Sequence, residues 1–262
     1  MTDVVFASTE ADATAATAIE QHHAELSGAL AARVEAVLTA AVHGDGAATL
    51  TARQALVTWS RAELLPHAAA EEKALYPAAH GLDRGRLLVE GMLAEHQVLI
   101  GLIDELAAAG DTVRAGAAAR ALQVVFGNHL EKENELVLPL LTEAPGISLA
   151  GLLQDMEQEF AAEQEAAGAE EAGGCGHGCS CGETDGPGYP ELDARNVPHA
   201  IRHATIFGAL DTVAPGGGLV LIAPHDPLPL LAQIEQRWAG VFAVNYLERG
   251  PEAWRLSFTR AH

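Results

Sequence analysis

The sequence predicts an all-α four-helix up-down-up-down bundle followed by a small α+β two-layer sandwich with the order βαβαββ. In the first half, apolar side chains recur every three or four residues, which is typical of amphipathic helices. In the second half, short segments rich in β-branched and aromatic residues alternate with Gly and Pro turns. A glycine-rich segment between them favours a linker, so we expect two domains.

Four apolar stripes predict the bundle helices. They cover residues 19–37, 56–75, 88–106 and 122–140. Turn residues follow each stripe: Gly44 to Gly46, then Pro77, Gly110 and Pro145. Short connections between four helices favour antiparallel neighbours, which is the up-down-up-down arrangement.

Composition changes set the domain boundaries. We predict the bundle at residues 12–145, a very acidic extra helix at 146–170, a linker rich in Gly and Cys at 171–188, and the α+β domain at 189–262. In the last domain, a strand and a helix are followed by a second strand and helix, and a hairpin around Gly250-Pro251 closes the order.

Charge and hydropathy exclude several classes of partner. The chain has 36 acidic and 15 basic residues, a net charge of −21, so we expect it to bind neither nucleic acid nor an anionic membrane surface. No apolar run approaches the roughly 18 residues that span a bilayer. The N-terminus lacks the basic region of a secretory signal, and the three cysteines lie too close together for a disulfide framework. We therefore expect a cytoplasmic protein.

Polar side chains interrupt all four stripes on the face that should point to the core. They are His23 on the first helix, His67 and Glu71 on the second, His96 on the third, and His129 and Glu133 on the fourth. Residues four apart lie on one side of a helix, so each His-x-x-x-Glu pair forms a chelating pair. Imidazole suits iron, zinc or copper, and carboxylates suit iron or manganese. Two Glu can bridge two cations while four His complete the outer positions.

Two alternatives accompany this interpretation. A single His on an apolar stripe is more often a hydrogen-bonded core residue than a ligand, but six such residues on four helices favour a metal site. His22 adjoins His23 and would become the first ligand if the helix rotated slightly. The central position of His23 in its stripe favours His23.

The segments His67 to Pro77 and His129 to Glu133 resemble the hemerythrin-like HHE cation-binding domain. This resemblance implies a non-haem di-iron centre, with two iron ions bridged by Glu71 and Glu133 and bound terminally by the four histidines. Ile100 stands where oxygen-carrying hemerythrins have a further His, which disfavours reversible oxygen carriage.

The resemblance therefore implies a protein that binds, senses or reacts with oxygen, nitric oxide or peroxide. Repair of iron–sulfur clusters, or delivery of iron or sulfur, is the first alternative. A structural or metal-buffering bundle is the second. Whether the protein is an enzyme stays open.

The linker carries Cys175, Cys179, Cys181 and His177 within seven residues. Three interpretations stay open: a Cys₃His zinc site, a flexible thiol cluster that oxidises or holds a metal transiently, and a linker without function.

The C-terminal half resembles a family of bacterial domains with the fold of the TusA and SirA sulfur carriers. The resemblance rests on the segments 191–195, 202–207, 225–227 and 250–255. Sulfur carriers have an acceptor Cys before the first helix, where this chain reads Asn196-Val197-Pro198, so persulfide transfer here is unsupported. A protein partner bound through this domain is the interaction we expect.

Overall fold

The computed structural model describes residues 9–171, 189–197 and 202–261 of the chain. Within that part, the N-terminal region is rich in helices, as predicted. The helices are α1 (Glu10–Val42), α2 (Gly46–Trp59), α3 (Leu65–Lys73), α4 (Leu75–His80), α5 (Arg86–Ala108), α6 (Thr112–Lys132), α7 (Leu138–Glu143) and α8 (Leu149–Glu171). None of the helices in these ranges has the length and hydropathy needed to cross a membrane.

Polar side chains define where several helices begin. The backbone N–H of Ala48 donates to Asp45 Oδ1 at 2.9 Å ahead of α2, and that of Arg114 donates to Asp111 Oδ1 at 2.8 Å ahead of α6. Both are N-caps, which satisfy backbone donors that have no partner inside the helix. The predicted turns at residues 44–46 and 110 therefore coincide with helix starts.

Two of the four predicted helices are interrupted. A π-helical turn at Ser60–Leu64 separates α2 from α3, and a second at Glu133–Val137 separates α6 from α7. Pro66 and Pro139 each lie two residues after such a turn. A proline has no N–H to donate and displaces the preceding carbonyl, so the helix widens locally.

The prediction that Pro77 ends the second helix is wrong. The helix breaks earlier, at Ala74, whose φ of −103° departs from helical geometry, and α4 then starts at Leu75. Pro77 therefore lies in the first turn of α4. Backbone N–H groups there have no acceptor within the helix, so a proline loses no helical hydrogen bond.

The C-terminal domain contains a mixed four-stranded sheet with helices. Its elements are β1 (Glu191–Asp193), α9 (Arg202–Asp211), β2 (Gly218–Ala223), α10 (Leu228–Arg237), β3 (Phe242–Arg249) and β4 (Trp254–Arg260). The strands lie in the order β1-β2-β4-β3, with β1 parallel to β2 and both other pairs antiparallel. The hairpin of β3 and β4 has a cis peptide bond at Gly250-Pro251, the turn that the sequence predicts.

The described residues divide into two compact units. The first comprises residues 9–19, 57–101 and 128–171, and the second comprises 20–56, 102–127, 189–197 and 202–261. The core of the first unit includes Tyr76, Met92 and Leu149. The core of the second unit joins sheet residues such as Phe258 to Ile206 on α9, and Ala32 of α1 belongs to it.

The cysteine linker lies outside the described residues. The expectations for Cys175, Cys179 and Cys181, including a transiently held metal, stay predictions.

Candidate metal centre

The six predicted ligands are buried. His23, His67, Glu71, His96, His129 and Glu133 are each 1–2% exposed. Burial of a carboxylate or a charged imidazole away from water is unfavourable unless hydrogen bonds, an opposite charge or a metal compensates. The contacts of each side chain therefore determine what the cluster can bind.

Potential donor atoms form two groups, and within each group all of them lie within 4.8 Å of one another. The first group comprises His23, His67, Glu71 and Glu133, and the second comprises Glu71, His96 and His129. Glu71 is the residue that the two groups have in common. His22, by contrast, is in neither group and is half-buried, which favours His23 as the first ligand.

Carboxylates orient the two histidines of the second group. His96 Nδ1 lies 2.7 Å from Glu72 Oε1, and His129 Nδ1 lies 3.1 Å from Glu95 Oε2. The other oxygen of Glu95 accepts a hydrogen bond from Lys132 Nζ. Although burial opposes it, hydrogen bonds from Lys132 and His129 lower the pKa of Glu95, so this acceptor is ionised at neutral pH.

These contacts determine which ring nitrogens face the centre of the site. The ionised Glu95 carboxylate only accepts, so Nδ1 of His129 is the donor. Burial lowers the pKa of His129 to about 4, so its ring is neutral and Nε2 carries a lone pair. His96 Nε2 lies 3.1 Å from His129 Nε2. The Nε2 atoms of both rings therefore face the same small region, and both residues belong to the second group of potential donors.

The two carboxylates of the site differ in their contacts. Glu71 Oε1 lies 2.8 Å from His67 Nε2, and Glu71 Oε2 lies 3.7 Å from His96 Nε2. Glu133 Oε2 lies 3.7 Å from His129 Nε2. Burial and the neighbouring Glu71 carboxylate raise the pKa of Glu133 well above its ordinary value. Two neighbouring buried carboxyl groups are more stable when they share one proton than when both are ionised. Bound cations would relieve the same repulsion.

Sequence reasoning missed Tyr76, which lies within the site on α4. Its hydroxyl donates to Glu133 Oε1 at 2.6 Å and lies 3.4 Å from Nε2 of both His96 and His129. The phenol ring stacks on His96, with 5.5 Å between centroids. Burial, followed by the charges of Glu71 and Glu133, raises the Tyr76 pKa, so the hydroxyl keeps its proton. Its position five residues after Glu71, next to Pro77, was the available signal.

The fold and the donor set are those of a helix-rich region with side chains that could hold a metal ion. Residues 14–141 match the family model of the hemerythrin HHE cation binding domain, which suggests binding of iron or another cation. Residues 191–260 match the family described as an uncharacterized conserved protein, DUF2249. The comparisons with curated proteins and with solved structures gave no match. The resemblance of the C-terminal domain to sulfur carriers stays a prediction.

Proposed function

We propose that this protein binds two iron ions at the six-residue centre and uses them to bind, sense or react with oxygen, nitric oxide or peroxide. The observation that supports this proposal is the pair of donor groups that both contain Glu71. His23 and His67 are the terminal ligands of one iron, and His96 and His129 are those of the other. A single metal ion would leave one of the two donor groups without a cation.

The chain's own residues prepare the site for this role. Glu72 and Glu95 hold the Nδ1 atoms of His96 and His129, so both Nε2 atoms face inward without rotation of the rings. Burial of all six ligands keeps bulk water away from the centre. Iron supplies a change between ferrous and ferric states and an affinity for small diatomic or peroxide ligands.

A protein partner bound through residues 191–260 is the route by which a redox change would reach other proteins. Iron–sulfur cluster repair, or delivery of iron or sulfur, depends on the linker thiols outside the described residues, and no described contact favours it. We keep a cytoplasmic location as part of the proposal, in line with the acidic composition.

The test is metal analysis of the purified protein together with its near-ultraviolet absorption. We expect two irons per chain and an absorption band that changes on reduction and on exposure to nitric oxide. His67→Ala should lose most of one iron equivalent, whereas the matched control His43→Ala, at an exposed position, should retain both.

Three results would contradict the proposal. They are zinc as the metal of the purified protein, one iron per chain in the wild type, and a band that neither oxygen nor nitric oxide changes. The first and third would favour a structural or metal-buffering bundle.

A further inference from the structure

The second compact unit contains a cavity of about 400 Å³, and none of the six candidate metal ligands lines it. Helices α1 and α2 form one side of the cavity, and the segments that lead into β1 and β2 form the other. The helices contribute residues with short side chains, which leave the space open: Ala32, Ala36, Ala52 and Ala55. Sites for small organic molecules have volumes of roughly 300–1,000 Å³ and a mainly apolar lining.

Tyr189 forms part of the wall opposite the helices. Its ring packs against the backbone of Gly218, where an added Cβ would lie 2.5 Å from the ring carbon Cε2. The carbonyl of the next residue, Pro190, accepts a hydrogen bond from the backbone N–H of Val220 at 2.9 Å. Both contacts tie this wall to β2, so the sheet holds the wall in position.

Arg33 of α1 supplies the charge at the cavity. Among the described residues that line it, Arg33 alone carries a formal charge, although the whole chain has 36 acidic and 15 basic residues. The side chain is half-buried, and its Nη1 donates to the carbonyl of Ala29 at 3.1 Å, one turn earlier on the helix. A guanidinium that is partly removed from water attracts an anion more strongly than an exposed one, and its N–H groups match the geometry of a carboxylate.

We propose that this cavity binds a small organic acid, whose apolar body lies between the helix alanines and Tyr189 while its anionic group contacts Arg33. This site goes beyond the proposed metal centre and uses none of its ligands. The apolar walls favour a hydrophobic body, and the Arg33 charge favours an anion over a neutral molecule or a cation. The net charge of −21 disfavours anions elsewhere on the protein, so a bound acid would mark this site.

The experiment titrates the full-length protein with naphthoate and with naphthylmethanol, its neutral analogue. The two compounds share an aromatic body and differ in the carboxylate, so their comparison isolates the contribution of charge. Isothermal titration calorimetry gives the Kd and the number of molecules bound. We expect one naphthoate per chain, bound about 10-fold more tightly than naphthylmethanol, which is the effect of one hydrogen bond to a charged group.

Two variants test the two parts of the site separately. Arg33→Gln removes the charge and keeps a long polar side chain, so it should weaken naphthoate binding by about 10-fold and leave naphthylmethanol binding unchanged. Ala36→Leu fills part of the cavity and should weaken binding of both compounds, while α1 persists because Leu is also a good helix former. The matched controls Arg84→Gln and Ala94→Leu, at exposed positions of the first unit, should bind both compounds as the wild type does.

Three results would overturn the proposal. The first is the absence of naphthoate binding to the wild type at millimolar concentration. The second is equal affinity of the wild type for naphthoate and naphthylmethanol, which would leave a cavity that does not recognise an acid. The third is unchanged naphthoate affinity in either Arg33→Gln or Ala36→Leu, which would place the bound molecule elsewhere. Because the two variants alter different parts of the cavity, one of them tests its location even if the other does not fold.

Discussion

At the residue scale, Glu95 orients His129. It accepts a hydrogen bond from His129 Nδ1 at 3.1 Å and another from Lys132. Such supporting carboxylates fix the tautomer of a ligating imidazole and raise its basicity. The orientation of the His129 ring therefore depends on a residue from a different helix.

Removal of this support should weaken metal binding. We expect Glu95→Ala to lower iron affinity by about 10-fold or more, because the His129 ring loses the acceptor that fixes Nδ1 as the donor. Anaerobic titration with Fe²⁺ in competition with a chelator measures the change. Glu131→Ala, at an exposed position of α6, is the control and should bind as the wild type does. Equal affinities in all three proteins would contradict the role of Glu95.

A second carboxylate gives a prediction about pH. Burial raises the pKa of Glu35 on α1, Arg120 opposes the shift, and the charge of Glu191 adds to it. A Glu whose pKa is higher in the folded state than in the unfolded state destabilises the fold at pH values above that folded pKa. This destabilisation disappears as the pH falls toward the unfolded value, near 4.5.

Glu35→Gln should therefore raise the free energy of unfolding at pH 7 and leave it nearly unchanged at pH 4. Urea unfolding at both values measures the difference. Glu105→Gln, exposed on α5, should have no effect at either pH. A gain from Glu35→Gln that is equal at both values would show that the charge of Glu35 is not the cause.

At the element scale, two helices of the second unit pack at unusually close range. A Cβ added at Gly28 of α1 would lie 1.9 Å from the Thr205 carbonyl oxygen of α9. One added at Gly208 of α9 would lie 2.0 Å from the Glu25 carbonyl oxygen of α1. The two backbones touch because neither glycine has a side chain.

Gly28→Ala should destabilise the protein by about 1–3 kcal/mol, because the backbones must separate to admit the methyl group. Gly101→Ala is the matched control, since a Cβ there has nothing within 4 Å. It should stabilise the protein by about 0.5–1 kcal/mol through the better helix propensity of Ala. Chemical denaturation of both variants tests the pair, and a stabilising Gly28→Ala would refute the close contact.

The two π-helical turns, Ser60–Leu64 and Glu133–Val137, are also features of the helices themselves. Glu133 is the first residue of the second turn, and His67 follows Pro66 three residues after the end of the first. π-turns change the direction in which successive side chains point, and they are frequent at functional sites. Both interruptions therefore lie next to candidate metal ligands.

At the scale of the whole molecule, a metal bound at the candidate centre would contribute to stability. Two carboxylates and four imidazoles are buried at one centre, and the chain carries a net charge of −21. Any ion that binds the folded state alone stabilises it, by about 2.7 kcal/mol when present at 100 times its Kd. Cations at the centre also remove repulsion between Glu71 and Glu133.

Metal removal should lower the midpoint of thermal unfolding by several degrees. The measurement is calorimetry of metal-free protein before and after addition of Fe²⁺ under anaerobic conditions. Mg²⁺ is the control, because it prefers oxygen ligands in octahedral geometry and should restore little stability. A midpoint that does not depend on iron would contradict a buried metal centre.

Much of the candidate site could be predicted from the sequence. Each His-x-x-x-Glu pair lies within one helix, so its geometry follows from the helical period. The hairpin around Gly250-Pro251 and the helix starts are local features in the same sense. The burial of all six predicted residues likewise follows from their positions on apolar stripes.

Only the tertiary structure showed that Tyr76 and Glu95 lie at the candidate site. Tyr76 contacts a carboxylate 57 positions away, and Glu95 contacts an imidazole 34 positions away. Helical periodicity relates residues three or four apart and carries no information about such pairs. The sequence by itself determined the apolar stripes of the helical region and the candidate metal ligands on them, but not the helix breaks at Ser60–Leu64, Ala74 and Glu133–Val137. The packing of separate helices decided which potential donors lie close together and which groups hold them, because those contacts depend on rotations and breaks that no local pattern specifies.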